Sequence, residues 1–193
     1  MKNITSTKLS SSTISTILVI GVVILGLIIG WILMTSVSNK TSLINQSGAT
    51  ALVPAGWNVN AGLQGEELLF WTSDQLDPNR RYILSIMPAV PGGSLTDVVA
   101  TRNLNRSQSI QGYVITDQSP TRVQNEDGYK VGFAYTLPGG RGLMPKVIQG
   151  TDYFLPKGDK VLVITLEDEA GTFDQSTDSF LRFLDSIRFP VGG

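Results

Sequence analysis

Cysteine and histidine are both missing from the 193 residues of this chain. Without cysteine there is no disulfide framework, no thiolate zinc site and no cysteine for haem or lipid attachment. Without histidine the chain lacks the commonest general base and the commonest transition-metal ligand. The two absences together remove the usual nucleophile–base pairs of hydrolases. We therefore expect no catalytic residue, no cofactor and no metal site, and a protein that is not an enzyme.

Acidic residues are missing from the first third of the chain, where Lys2, Lys8 and Lys40 are the only charged side chains before Glu66. The remainder has twelve basic residues against sixteen acidic ones, a net charge of about −4. Proteins that bind nucleic acid need a basic patch to meet the phosphates. This charge balance therefore argues against a nucleic-acid partner.

Charge is also absent between Leu9 and Asn39, and the apolar part of this stretch runs from Ile14 to Met34. A helix of that length is roughly 31 Å long at ~1.5 Å per residue, which matches the hydrocarbon core of a bilayer. The run predicts a transmembrane helix at 13–36. The alternative is a cleaved signal peptide, but apolar regions of signal peptides are usually only about 7–15 residues long.

Basic residues suggest how such a helix would be oriented. The predicted tail at 1–12 contains Lys2 and Lys8, whereas Lys40 is the only basic residue between the helix and Arg80. Because basic residues are retained in the cytoplasm, we expect the N-terminus to be cytoplasmic and the rest extracytoplasmic, on the periplasmic or cell-surface side. The lipid bilayer is then an expected partner.

Gly26 and Gly30 are four positions apart in the apolar run. Two glycines at this spacing lie on one helix face and let a second helix approach closely, so they are predicted to form a helix-packing interface with integral membrane subunits. Glycine is also common in membrane helices for no specific reason, and this alternative remains open.

The rest of the chain divides into a polar linker at 37–50 and a globular domain at 51–193. Short alternating segments separated by turns predict strands joined as antiparallel hairpins. Ser94 and Asp97 predict the start of a helix. A second helix begins near Thr172, and its apolar stripe at helical spacing contains Phe180, Phe183, Leu184 and Ile187. This order predicts an α+β fold with a central antiparallel sheet.

Two segments resemble the PsbP-like domain family. The sequence Val-Pro-Ala-Gly-Trp at 53–57 is similar to the P-x-G-W opening of that family. The segment 180–189 is similar to its closing helix and S-I-R-F strand. The likeness extends over about residues 50 to 190.

The resemblance implies an α/β/α sandwich around an antiparallel sheet. Members of the family are mostly non-enzymatic, and include extrinsic photosystem II subunits, a Ran-binding nuclear-transport factor and bacterial lipoproteins. This chain differs from those lipoproteins because it has no lipobox cysteine, so the predicted membrane helix would replace the lipid. No functional residue of the family is carried over.

Three further segments contain candidate site residues. The glycine-rich loop at 138–142 lacks the spacing of a phosphate-binding loop, and it is interpreted as a contact loop with Arg141 and Met144 as partner contacts. Asp74 and Asp77 are interpreted as turn residues. The acidic run at 167–169 is interpreted as a solvated loop before a helix, with a Ca²⁺ site as the alternative.

These features favour a non-catalytic accessory subunit of a membrane protein complex, with a photosynthetic or respiratory complex as a guess from the family. Its domain would brace the extracytoplasmic face of integral membrane subunits. The alternative is a free-standing, membrane-tethered domain that binds or senses an extracytoplasmic ligand. A hydrolase is disfavoured because no G-x-S-x-G or S-x-x-K motif occurs where such enzymes need it.

Overall fold

The computed structural model describes residues 11–38, 40–62, 67–139 and 144–189. The chain forms two compact units, Met1–Lys40 and Thr41–Gly193.

The first unit contains helix α1, Ser11–Ser38, on which the described side chains run from Leu18 to Ile32. A membrane span needs about 20 consecutive apolar residues to cross ~30 Å of hydrocarbon. Among the described residues, no helix has both the length and the apolar character required to cross a membrane. The predicted transmembrane helix at 13–36 is therefore wrong.

The second unit has an α+β fold, as predicted. Its described strands are β1 Thr41–Gln46, β2 Ala49–Pro54, β3 Asn58–Ala61, β4 Leu68–Ser73, β5 Arg81–Pro88, β6 Val114–Val123, β7 Glu126–Leu137, β8 Lys146–Lys157 and β9 Lys160–Glu169. Its described helices are α2 Leu95–Ser109, between β5 and β6, and α3 Phe173–Ser186, after β9.

Seven strands form one antiparallel sheet in the order β3-β4-β5-β9-β8-β7-β6. Two-residue turns join β6 to β7 and β8 to β9, as the hairpin signals in the sequence predict. Strands β7 and β8 are also adjacent and antiparallel. Strand β5 instead pairs with β9, and Arg81 lies opposite Glu167 although 86 residues separate them. This long-range pairing places the start of β5 beside the end of β9.

Helix α3 covers one face of the sheet, which is called the α3 face below. Its buried aromatic residues Phe180 and Phe183 pack against Tyr82 of β5, with ring centroids 5.3 and 4.9 Å away. Leu184 and Ile187 are also buried in this core. The apolar stripe predicted for the last helix is confirmed, because the residues at that spacing are the ones that contact the sheet.

Helix α2 lies on the opposite face, the α2 face, so the sheet is the middle of three layers. The Asp97 carboxylate accepts a 2.6 Å hydrogen bond from the Ser94 backbone N–H, as the predicted capping motif requires. Val98 and Val99 are the buried apolar residues of α2 and pack against apolar side chains of the sheet. The C-terminal half of α2 instead faces the sheet with arginines.

Residues 41–54 form the β1–β2 hairpin, although the sequence analysis places a polar linker at 37–50. Ala49, Ala51 and Val53 alternate inward from β2 and are buried in the core under α3. The backbone N–H groups of Thr50 and Arg188 each donate to the carbonyl of the other. The polar composition concealed this strand because only three small or branched side chains of β2 face the core.

Candidate functional site

Asp152 is the centre of a buried polar network between α2 and the sheet. This carboxylate, on β8, is fully buried and accepts hydrogen bonds from Arg106 at 2.5 and 3.3 Å and from Arg102 at 3.3 Å. The Thr165 hydroxyl donates to it at 2.5 Å. The Arg106 guanidinium also lies 4.3 Å from the centre of the Phe133 ring. Because both arginines are one helical turn apart on α2, they reach the same carboxylate.

The pKa values of the two arginines are shifted in opposite directions. Burial lowers the pKa of Arg102, and the single 3.3 Å bond to Asp152 does not offset it. Burial is also the largest single effect on Arg106 and acts against its charge, but the attractions to Asp152 and Glu167 together outweigh it and raise the pKa of Arg106. Both side chains remain charged near neutral pH because the ordinary arginine pKa is so high. The network is therefore a structural ion-pair cluster.

A second ion pair extends this network along the α2 face. Glu167 on β9 is buried, and one of its oxygens accepts hydrogen bonds from Arg81 at 2.6 Å and from the Tyr135 hydroxyl at 3.2 Å. Burial raises the pKa of Tyr135, and the neighbouring Glu167 charge adds to the effect. The tyrosine is thus held neutral, as a hydrogen-bond donor.

Asp168, the next residue on β9, is buried on the α3 face. Its carboxylate accepts hydrogen bonds from the Arg80 guanidinium at 2.9 Å and from the Thr172 hydroxyl at 3.0 Å, and from the Ser176 hydroxyl as well. Thr172 and Ser176 belong to the start of α3, so this carboxylate holds the helix N-terminus against the strand. A negative charge is favourable at that end of a helix.

The acidic run at 167–169 is therefore part of strand β9 rather than a solvated loop. Successive side chains of a strand point to opposite faces, so Glu167 and Asp168 do not converge. Each already has a cationic partner. The predicted loop is wrong because pairing with β5 and β8 continues through these residues.

Glu169 joins two loops at one end of the sheet. Its Oε1 accepts a hydrogen bond from Asn79 Nδ2 at 2.9 Å and another from Lys146 Nζ. Asn79 belongs to the loop between β4 and β5, and Lys146 begins β8. The Lys146 hydrogen bond lowers the pKa of Glu169, and the same bond raises the pKa of Lys146. This end of the sheet, from which the β4–β5 and β7–β8 connections project, is called the loop end below.

A cleft of about 430 Å³ lies at the loop end, between these two connections. Its lining is mostly apolar, with Asn79 and Lys146 as its polar members; the apolar lining residues are Leu137, Pro138, Met144 and Pro145. Met144 is 88% exposed. Ligand-binding clefts usually have volumes of about 300–1,000 Å³ and similar apolar linings.

The predicted contact residues are not all brought together. Met144 lines the cleft, whereas Arg141 lies outside the described residues. Gly26 and Gly30 lie on α1, where a Cβ atom added to either would have no described atom within 4 Å. The helix-packing role of the glycines and the contact role of Met144 and Arg141 both stay predictions.

Sequence reasoning missed the ion pairs that hold both faces of the sheet. Arg102 is four residues after Val98 on α2, and Arg106 is four residues after Arg102, so helical spacing placed both arginines on the inward side. Nothing in the local sequence indicates that Arg80 pairs with Asp168 or that Arg81 pairs with Glu167. Both ion pairs depend on the long-range register of β5 and β9.

No protein-family model and no curated protein matches this chain. Several solved structures are similar to it. Cyanobacterial PsbP (CyanoP) from Synechocystis superposes with a TM-score of 0.57 at 12% identity, covering 78% of this chain and 93% of that one. A protein of unknown function and putative regulator from Pseudomonas aeruginosa gives 0.50 at 12% identity over 80% of this chain and 100% of that one.

The Ran-binding protein Mog1p from Saccharomyces cerevisiae gives a TM-score of 0.50 at 10% identity, covering 77% of this chain and 95% of that one. Identities this low show likeness of fold alone. They agree with the antiparallel sheet and the helix on each of its faces. The globular unit of this chain therefore has the fold found in PsbP and Mog1p.

Proposed function

We propose that this chain is a non-catalytic accessory subunit of a membrane protein complex. Its globular domain would brace integral membrane subunits on the extracytoplasmic side. The proposal rests on the hydrogen-bond partners of the buried carboxylates. Asp152, Glu167 and Asp168, the buried carboxylates of the described residues, each accept hydrogen bonds from arginine and from a hydroxyl group.

Such carboxylates are poor candidates for chemistry. A general base must reach the proton that it removes in a bound substrate, and these oxygens are directed at arginines inside the protein. Removing a partner of a buried ion pair is strongly destabilising. The acids are thus better suited to making the domain rigid, which favours a role in binding over one in catalysis.

The fold gives weaker support. The similar protein Mog1p is described as Ran-binding, so a domain of this shape contacts another protein in that case. Because one fold carries many functions, this likeness does not identify the partner. The choice of a membrane complex rests on the resemblance to extrinsic photosystem II subunits.

Purification from the native host tests the proposal. The full chain carrying a C-terminal tag, expressed at its native level, should co-purify from mild-detergent extracts with a reproducible set of integral membrane subunits. An untagged strain processed in parallel is the control. Recovery of the chain by itself, under conditions that keep other membrane complexes intact, would contradict the proposal.

The cleft at the loop end favours one alternative, a domain that binds or senses a small ligand. Its volume lies within the usual range for ligand sites. However, its polar lining residues Asn79 and Lys146 already donate to Glu169. Native mass spectrometry of the chain purified from its host distinguishes the two functions. A stoichiometric small molecule bound to the isolated chain would favour the ligand-binding domain.

A further inference from the structure

Leu76 is the most exposed large apolar residue described in the globular unit. It lies in the β4–β5 loop, and 96% of its surface is accessible to solvent. A single exposed leucine is ordinary in a mobile loop. This leucine is unusual because its loop is held in one shape by hydrogen bonds.

Four hydrogen bonds within residues 74–80 hold the β4–β5 loop. The Asp74 backbone N–H donates to the Arg80 carbonyl at 3.0 Å, and the Arg80 N–H donates to the Asp77 carbonyl at 3.0 Å. The Leu76 N–H donates to the Asp74 carboxylate at 2.9 Å, and the Asn79 N–H donates to the Asp77 carboxylate at 3.1 Å. A loop fixed in this way presents its apolar side chain with little further loss of entropy on binding.

Met144 is presented by the neighbouring β7–β8 connection. It is 88% exposed and lines the cleft together with Asn79, three residues from Leu76. Glu169 holds both sides, because Asn79 from one loop and Lys146 from the start of β8 donate to the same oxygen. The two apolar side chains therefore project from connections that are fastened to a common carboxylate.

The loop end has an excess of negative charge. Its described carboxylates number six, and its described cations number three: Asp74, Asp77, Glu167, Asp168, Glu169 and Asp174 against Arg80, Arg81 and Lys146. Glu167 and Asp168 are buried and paired with Arg81 and Arg80. The carboxylates that reach the surface of the loop end are therefore Asp74, Asp77, Glu169 and Asp174.

We propose that Leu76 and Met144 form a docking surface for a partner protein that has an apolar recess with a basic rim. The proposal rests on the proposed function, since the partner would be one subunit of the membrane complex. The apolar side chains enter the recess, and the solvent-accessible carboxylates of the loop end face lysines or arginines of the partner. Complementary charge of this kind also accelerates association and sets orientation.

The charge of the loop end also argues against two other occupants. An anionic lipid surface repels a region with excess carboxylates, since lipid binding relies on basic residues. A second copy of this chain, docked by the same surface, would bring the two acidic excesses together. Like charges facing each other across an interface are costly.

Site-specific photo-crosslinking in the native host tests this surface. Benzoylphenylalanine replaces Leu76 or Met144 in the full chain, and Leu104 serves as the control because it is exposed on the outer side of α2. Crosslinks from positions 76 and 144 should converge on one protein, in a segment with apolar residues flanked by lysine or arginine. Their yield should exceed the yield from position 104 at least fivefold.

A charge-reversal pair tests the basic rim. Asp174→Lys reverses a charge in the first turn of α3 at the loop end, and Asp185→Lys reverses one at the other end of the same helix. Asp174→Lys should reduce the crosslinking yield from position 76 severalfold, and Asp185→Lys should leave it unchanged. Circular dichroism melts of both variants show whether either one unfolds.

The outcomes separate this proposal from the proposed function. If the tagged chain co-purifies with membrane subunits but positions 76 and 144 crosslink no better than position 104, the docking surface is wrong and the accessory role stands. Crosslinks to lipid, to a second copy or to scattered proteins also overturn the docking surface. If no subunit co-purifies, the accessory role fails first.

Discussion

Asp152 shows how much of this domain depends on single buried residues. Its carboxylate is the common acceptor for two arginines of α2 and for Thr165. A buried charge is tolerated only when it is paired and hydrogen-bonded. Two guanidinium groups share this one carboxylate. Among the described residues, the other hydrogen-bond contacts of Arg102 are at 3.9 Å to the Met87 sulphur and at 3.4 Å to the Thr165 hydroxyl.

Asp152→Asn should therefore be strongly destabilising. It leaves two buried arginines without their countercharge, and we expect a loss of about 3–5 kcal/mol in the free energy of unfolding. Urea denaturation followed by circular dichroism measures it. Asp127→Asn is the matched control, since Asp127 is 95% exposed and should change stability by less than about 0.5 kcal/mol. Equal effects of the two substitutions would contradict the structural role of Asp152.

Glu169 gives a prediction about pH at the same scale. The Lys146 hydrogen bond lowers the pKa of Glu169 below its ordinary 4.5 and raises the pKa of Lys146 above its ordinary 10.5. The contribution of the lowered Glu169 pKa to the free energy of unfolding is fully present above pH 4.5. It is lost as the pH falls through the folded-state pKa of Glu169. Stability from the raised lysine pKa is complete below pH 10.5 and is lost as pH rises through its folded-state value.

The difference in unfolding free energy between wild type and Glu169→Gln should thus be constant between these two limits. It should shrink as the solution is acidified below pH 4.5. Denaturation series from pH 3 to pH 8 measure it. Lys146→Met should remove much of the same acid dependence, because it removes the principal donor. An unchanged acid dependence in Lys146→Met would show that the pair does not form.

Helix α3 is the element that the sequence predicted best. Its four apolar positions repeat at helical spacing, and all of them are buried. The inward face of helix α2 was harder to predict from the sequence, because arginines occupy half of it. Strand β9 was predicted too short for a similar reason. Its last three residues are acidic, and they are paired there with Arg80 just before β5, with Arg81 at the start of β5 and with Lys146 at the start of β8.

Phe183→Ala tests the docking of α3. The ring is 1% exposed and contacts Phe70, Tyr82 and Phe180, so its removal leaves a cavity. We expect a loss of about 3–5 kcal/mol in the free energy of unfolding. Leu181→Ala, in the same helix but with a 40% exposed side chain, should cost much less. Thermal melts of both variants measure this, and a near-neutral Phe183→Ala would refute the docking.

The whole molecule divides at residue 41 rather than at residue 51. Strand β2 provides buried alanines to the core, and Thr50 makes two backbone hydrogen bonds with Arg188 near the chain end. The first strands of the domain are thus fastened to its last residues. Sequence composition does not reveal this arrangement, because the segment is short and polar.

Two truncated chains test this boundary. A chain of residues 41–193 should melt within a few degrees of the full-length protein, since it retains the whole compact unit. A chain of residues 51–193 loses β1, Ala49 and Thr50, and it should melt at a clearly lower temperature. Differential scanning calorimetry of both chains provides the measurement. Equal melting temperatures would restore the boundary at residue 51.

The sequence by itself determined the class of the fold, the antiparallel hairpins from β6 to β9 and the buried stripe of α3. These features depend on periodicity and turns, which act over a few neighbouring residues. Tertiary structure alone decided which arginine meets which carboxylate, and that Asn79 and Lys146 donate to the same oxygen of Glu169. Those contacts join residues up to 90 positions apart. They depend on the packing of α2 against β8 and on the register in which β5 pairs with β9.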